Sequence, residues 1–118
     1  MNESELKQRT KQFALRVIKL ASALPNHFIA RTIGSQLVRA GTSVGANYRA
    51  ACRARSQAEF IAKLGIVEEE ADESSYWMEL IIEAKLVAPE RTQPLLTESN
   101  EILAIISASR RTAKRNAS

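Results

Sequence analysis

The sequence holds one cysteine, Cys52, one histidine, His27, and six aromatic residues in 118 positions. A lone cysteine cannot close an intramolecular disulfide, so a small secreted disulfide scaffold is excluded and a reducing cytoplasm is the expected compartment. One His and one Cys cannot supply the convergent ligands of a zinc site, and the Glu-x-x-His pairs of di-iron bundles are missing, so neither a metal nor a cofactor is expected. Nothing in the spacing brings Cys52 and His27 together as nucleophile and base, and a lone helical Cys is ordinarily a small buried hydrophobe. The four glycines, Gly34, Gly41, Gly45 and Gly65, are dispersed rather than gathered into a phosphate-binding loop. The expectation is a non-enzyme with no small-molecule substrate. No run reaches the roughly 18 apolar residues of a membrane span, and Met1 to Lys11 alternates charges without the apolar centre of a secretory signal. A soluble chain with no membrane contact follows as an expectation.

What the sequence does have is helix formers. Eighteen alanines outnumber the aromatic and β-branched signals of strands, and a 45% apolar fraction with 25% charged residues suits one globular domain over residues 1–118. Four segments carry heptad-like seams. The first, about 3–24, shows Leu6, Thr10, Phe13, Val17, Leu20 and Leu24, ended by Pro25. The second, about 26–54, restarts at Pro25 and Asn26 after almost no loop and shows Ala30, Ile33, Leu37, Ala40, Val44, Asn47 and Ala51. Ser56-Gln-Ala-Glu59 reads as a capping box opening the third, about 57–88, which Pro89 should end. The fourth, about 93–114, shows Leu95, Ser99, Ile102, Ile106, Ser109 and Ala113. Short connections make neighbours antiparallel, which predicts an all-α, up-down-up-down four-helix bundle.

Charge is distributed unevenly. Residues 1–55 carry ten bases and two acids, residues 56–101 three bases and eleven acids, and the last seventeen four bases and no acid. Such polarity suits contact between a basic and an acidic half, within a chain or between copies, although a solvated face of one sign is an equally plain reading. Asn47 on a core seam could fix register by finding a buried partner, or could sit at the bundle edge bonded to backbone or water. Glu70 and Glu73 could meet Arg39 or Arg49 across the second and third helices. The acidic run 68–73 diverges around a helix and is a poor hard-cation site. Tyr48, Tyr76 and Trp77 are candidate subunit anchors, with core filling as the competing explanation.

Arg39, Ser43-Val-Gly-Ala-Asn47, Arg55-Ser56, Glu59-Phe60-Ile61 and Leu64, then Glu70-Ala-Asp-Glu73 and Tyr76-Trp77, together resemble the bacterial four-helix bundle family also called the 23S rRNA intervening-sequence or S23-like family. The resemblance runs from about Phe13 to Ile106 and is most specific over residues 36–82. It departs from the family pattern at Ala50, where an acid is common, and at Ala51, where a glycine is. It implies a homo-oligomer, most often a pentameric barrel. It also implies, from the related accessory variability determinants of diversity-generating retroelements, a basic surface for RNA and a reverse transcriptase as partner. Arg39, Ser43, Asn47, Glu70 and Glu73 are the candidate inter-helix residues.

A pI of 9.6 and the excess of eleven Arg over six Lys also favour a phosphate backbone as partner, RNA before DNA. The candidate binding residues are Arg9, Lys11, Arg16, Arg49, Arg53, Arg55, Arg110 and Arg111. The alternative is a protein-interaction scaffold without nucleic acid.

Overall fold

The computed structural model describes residues 1–117. Four helices follow in order: α1 (Glu3–Ser22), α2 (Phe28–Cys52), α3 (Gln57–Glu83) and α4 (Pro89–Ala117). They form an antiparallel up-down-up-down bundle about 48 Å long, with α1 on α2, α2 on α3, α3 on α4, and a sparser α1–α4 seam closing the ring. Ends are set by local chemistry. Asn2 accepts from the N–H of Glu5 at 2.8 Å, and Glu3 and Glu5 lie in the first turn of α1, where negative charge complements the helix dipole. The Ser56 hydroxyl accepts from Glu59 N–H at 3.1 Å, but no return bond from the Glu59 side chain completes the box.

Three boundaries differ from the sequence reading. Between α1 and α2 lies a genuine turn, and His27, not Pro25 or Asn26, caps α2 by accepting from Ala30 N–H through Nδ1 at 3.3 Å. This use of the single histidine is structural. α3 stops at Glu83, before Pro89 can act. Lys85 adopts φ 55°, with its N–H on the Ile82 carbonyl and that of Leu86 on the Ile81 carbonyl. That is a Schellman ending with lysine where glycine is usual. Pro89 instead opens α4 at the position where a missing N–H is harmless, and Pro94 lies inside that helix rather than at its start.

The core is Leu6, Phe13, Val17 and Leu20 of α1, Leu37, Val44 and Tyr48 of α2, Leu64, Val67, Met78 and Ile81 of α3, and Leu95, Ile102 and Ile106 of α4. α1 can settle onto α2 because glycine removes the side chain where the helices meet. A Cβ at Gly41 would stand 2.7 and 2.8 Å from the two Val17 methyls, one at Gly34 2.9 Å from Leu24 Cδ1, and one at Gly45 3.4 Å from the Thr10 backbone. Between α3 and α4 the buried hydroxyls of Ser75 and Ser99 share a 2.8 Å hydrogen bond, and Ser99 also donates to the Ala71 carbonyl at 3.0 Å.

Candidate nucleic-acid interface

Because the helices are antiparallel, the end of the bundle opposite the His27 turn gathers the last turn of α2, the α2–α3 connection and the end of α4. Gln57 ties these together by donating from Nε2 to the Ala113 carbonyl at 3.2 Å. Arg49, Arg53, Arg55 and Arg111 are all exposed in this region, and Lys114 and Arg115 follow in the last turn of α4. Arg53 is the C-cap of α2, where a cation complements the helix dipole. None of Arg49, Arg53, Arg55 and Arg111 forms an ion pair among the described residues. Shallow clefts run on either side of Phe60, one walled by Thr112 and Asn116 and the other by Cys52 and Arg55.

Two of the eight candidate bases are already engaged by carboxylates. Arg9 clamps Glu98 through two 2.7 Å bonds, from Nε to Oε2 and from Nη2 to Oε1, and Nη2 reaches Glu101 at 3.3 Å. The bonds to Glu98, opposed by burial, hold its guanidinium pKa above the ordinary value. Arg110 lies across Gly65, pairs with Glu68 at 3.5 Å, and has its Nε buried without a hydrogen-bond partner. Lys11 and Arg16 are exposed on α1, away from the arginine-rich end.

Of the inter-helix candidates, Arg39 bonds Glu70 at 3.3 Å and also Glu73, whose carboxylate accepts from Trp77 Nε1 at 2.9 Å. Arg39 is about half exposed and Glu73 about a third, so solvent screens this network and it contributes on the order of 1 kcal/mol or less. Asn47 and Ser43 do not cross helices. Asn47 is half-buried and donates to the Ser43 carbonyl at 2.8 Å, while Ser43 donates to the Arg39 carbonyl at 2.6 Å. Tyr48 takes the core position and is only 7% exposed, which removes it from any subunit surface. Burial raises its phenol pKa, with the Cys52 thiol alongside adding to the effect, and burial likewise pushes the Cys52 thiol up. Tyr76 is exposed and meets the half-buried Trp77 edge-on at 5.2 Å between ring centres.

Sequence reasoning missed Lys19 and Arg91, exposed bases that share a cleft with Arg16. The chain alone carries no signal for them, since the seven-residue offsets of Arg16 from Arg9 and of Arg91 from Glu98 have meaning only once that pair is seen. Among the described residues no group of three or more His, Cys, Asp or Glu could hold a metal ion, and no helix is long and apolar enough to cross a membrane.

The family model described as 23S rRNA-intervening sequence protein matches residues 2–108. A crystal structure of a protein of unknown function from the S23 ribosomal protein family of Bacteroides thetaiotaomicron superposes with a TM-score of 0.85 at 34% identity, covering 94% of this chain and 99% of that one. No curated protein matches the sequence. Neither of the two descriptions ascribes an enzymatic activity.

Proposed function

The chain belongs to the 23S rRNA-intervening sequence protein family, and on that footing we propose that it is a non-enzymatic, self-associating bundle that binds RNA through its arginine-rich end. The observation that carries this reading is the group Arg49, Arg53, Arg55 and Arg111, exposed and without carboxylate partners. Uncompensated guanidinium groups suit phosphate oxygens, to which their planar fork donates in pairs. Arg9 and Arg110 are left out of the binding set because acids of α4 and α3 already neutralise them. Lys11 and Arg16 serve as secondary contacts of a longer strand.

Self-association has its own support. Leu15 and Ile18 of α1 and Phe28 and Ile29 of α2 are exposed apolar residues, and a cleft of about 600 Å³ runs between these helices past Leu24, Pro25 and Val38. Glu69 and Asp72 give α3 an exposed acidic face. A head-to-tail ring needs two unlike, complementary patches on each copy, and the exposed bases Lys11 and Arg31 beside the apolar residues complement that acidic face. The pentamer implied by the family resemblance is the assembly proposed, in the cytoplasm, with a reverse transcriptase as a candidate protein partner.

The test is RNA binding by purified protein stripped of nucleic acid. A single-stranded RNA should bind at about 50 mM salt and weaken steeply as salt rises, by about 0.7 in the logarithmic slope for each phosphate neutralised. Joint reversal of Arg49, Arg53, Arg55 and Arg111 to Glu should abolish binding, and light scattering should give the mass of several chains. Oligomers that ignore RNA at low salt would favour the protein-scaffold reading.

A further inference from the structure

On the α1–α4 seam Arg9 is answered by Glu98. The helices are antiparallel, so one heptad further along α1, at Arg16, the matching position one heptad back on α4 is Arg91. The register that forms a salt bridge at one level thus brings two guanidinium groups into one cleft at the next. Pro94 occupies the place corresponding to Glu101, so the second carboxylate is also missing. Lys19, one turn beyond Arg16, adds a third positive charge. The cleft measures about 350 Å³, and its apolar walls are Leu20, Ala23 and Leu95. No carboxylate pairs with Arg16, Lys19 or Arg91 among the described residues.

Like charges brought together repel, and because all three side chains are exposed, solvent screens much of that repulsion while leaving a positive potential over the cleft. A single acid at position 91 would relieve that repulsion. Negative charge supplied from outside removes the same penalty.

We propose that this cleft binds a phosphoryl group, held by the forks of Arg16 and Arg91 and the ammonium of Lys19, with the attached moiety resting on Leu20 and Leu95. Two guanidinium groups and one ammonium match the several oxygens and the negative charge of a phosphate group, whether ester or free. The site does not rest on RNA binding by the arginine-rich end, because Arg49, Arg53, Arg55 and Arg111 do not line it.

The experiment is thermal unfolding of the full chain in inorganic phosphate or pyrophosphate against sodium chloride at matched ionic strength. A ligand that binds only the native state raises Tm, so phosphate should lift it by several degrees beyond chloride. Arg91→Glu should melt at or above the parent in chloride, because it recreates the Arg9–Glu98 arrangement, and should lose the phosphate-specific rise. Lys19→Gln should reduce the rise, and Arg53→Glu should keep it. An oligonucleotide with hydroxyl ends separates the two sources of a phosphoryl group. A rise that Arg91→Glu removes assigns the cleft to a nucleic-acid backbone, and a rise with free phosphate alone assigns it to a small phosphorylated ligand. Equal effects of phosphate and chloride, or a phosphate response that survives Arg91→Glu, would overturn the proposal.

Discussion

Helix α1 has two neighbours and is joined to them by opposite means. Toward α2 the contact is made of absence: Gly34, Gly41 and Gly45 leave room for Leu24, Val17 and Thr10, and the backbones close up. Toward α4 the contact is sparser and ionic, with Arg9 reaching Glu98 and Glu101. The first seam excludes water and tolerates little change in shape. The second tolerates shape change but depends on charge, and so can carry uncompensated bases at Arg16 and Arg91. One helix can thus be fixed on one side and leave a binding cleft on the other.

The largest departure from this stability is expected at high pH, on the α2 side. Tyr48 and Cys52 are held protonated by burial near Glu3, so both have raised pKa values in the fold. Unfolded chains ionise at ordinary values, about 10 for a phenol and, lower, about 8.5 for a thiol. Stability is then intact below the thiol value and falls as pH rises from it through the raised native values. Urea midpoints followed from pH 8 to 11 should decline, and Tyr48→Phe should flatten the decline. A flat parent profile would show that this seam is open to water.

Gly41→Ala comes next. Its new methyl would collide with both methyls of Val17, a β-branched side chain that cannot rotate away. Overpacking of about 1–3 kcal/mol outweighs the ~1 kcal/mol gained from helix propensity, so the urea midpoint should drop. Gly65→Ala is the contrast, since the flexible end of Arg110 lies there and can yield. Its stability should equal the parent's or exceed it by up to about 1 kcal/mol, the gain in helix propensity.

The smallest loss should come from Glu98→Ala on the ionic seam. It removes the better of the two Arg9 partners while Glu101 remains, and a partly exposed bidentate pair is worth about 1 kcal/mol. The loss should shrink as salt is raised, whereas that of Gly41→Ala should not. Equal salt responses would erase the distinction between the two seams.

Much of the fold was legible as periodicity. Leu6, Thr10, Phe13, Val17 and Leu20 are buried as the first seam requires, and so are Leu64, Val67, Ala71, Ser74, Met78 and Ile81 of the third. In α2 the strict heptad pointed to Asn47, but a helix of 3.6 residues per turn drifts from that repeat. The glycine face turns the buried stripe toward α1, and Tyr48 is buried instead. The end of α3 was illegible because its Schellman turn uses Lys85 without the glycine that normally announces it. The binding set was only partly legible, since a sequence counts charges without showing their partners. Nothing near Arg9 in the chain reveals an acid 89 residues away.

The hydroxyl pair of Ser75 and Ser99 has a consequence for how α3 and α4 align. Apolar ridges that repeat every heptad can mesh equally well after one helix slides along the other by a full repeat. Ser75 and Ser99 act as a latch against such sliding: displaced by about 10 Å, the seven-residue rise of a helix, each would lose its 2.8 Å partner inside a dry interface. Two small hydroxyls therefore choose one alignment among several of similar apolar fit. The arginines of the α2–α3 connection and Arg111 of α4 owe their common level to that choice.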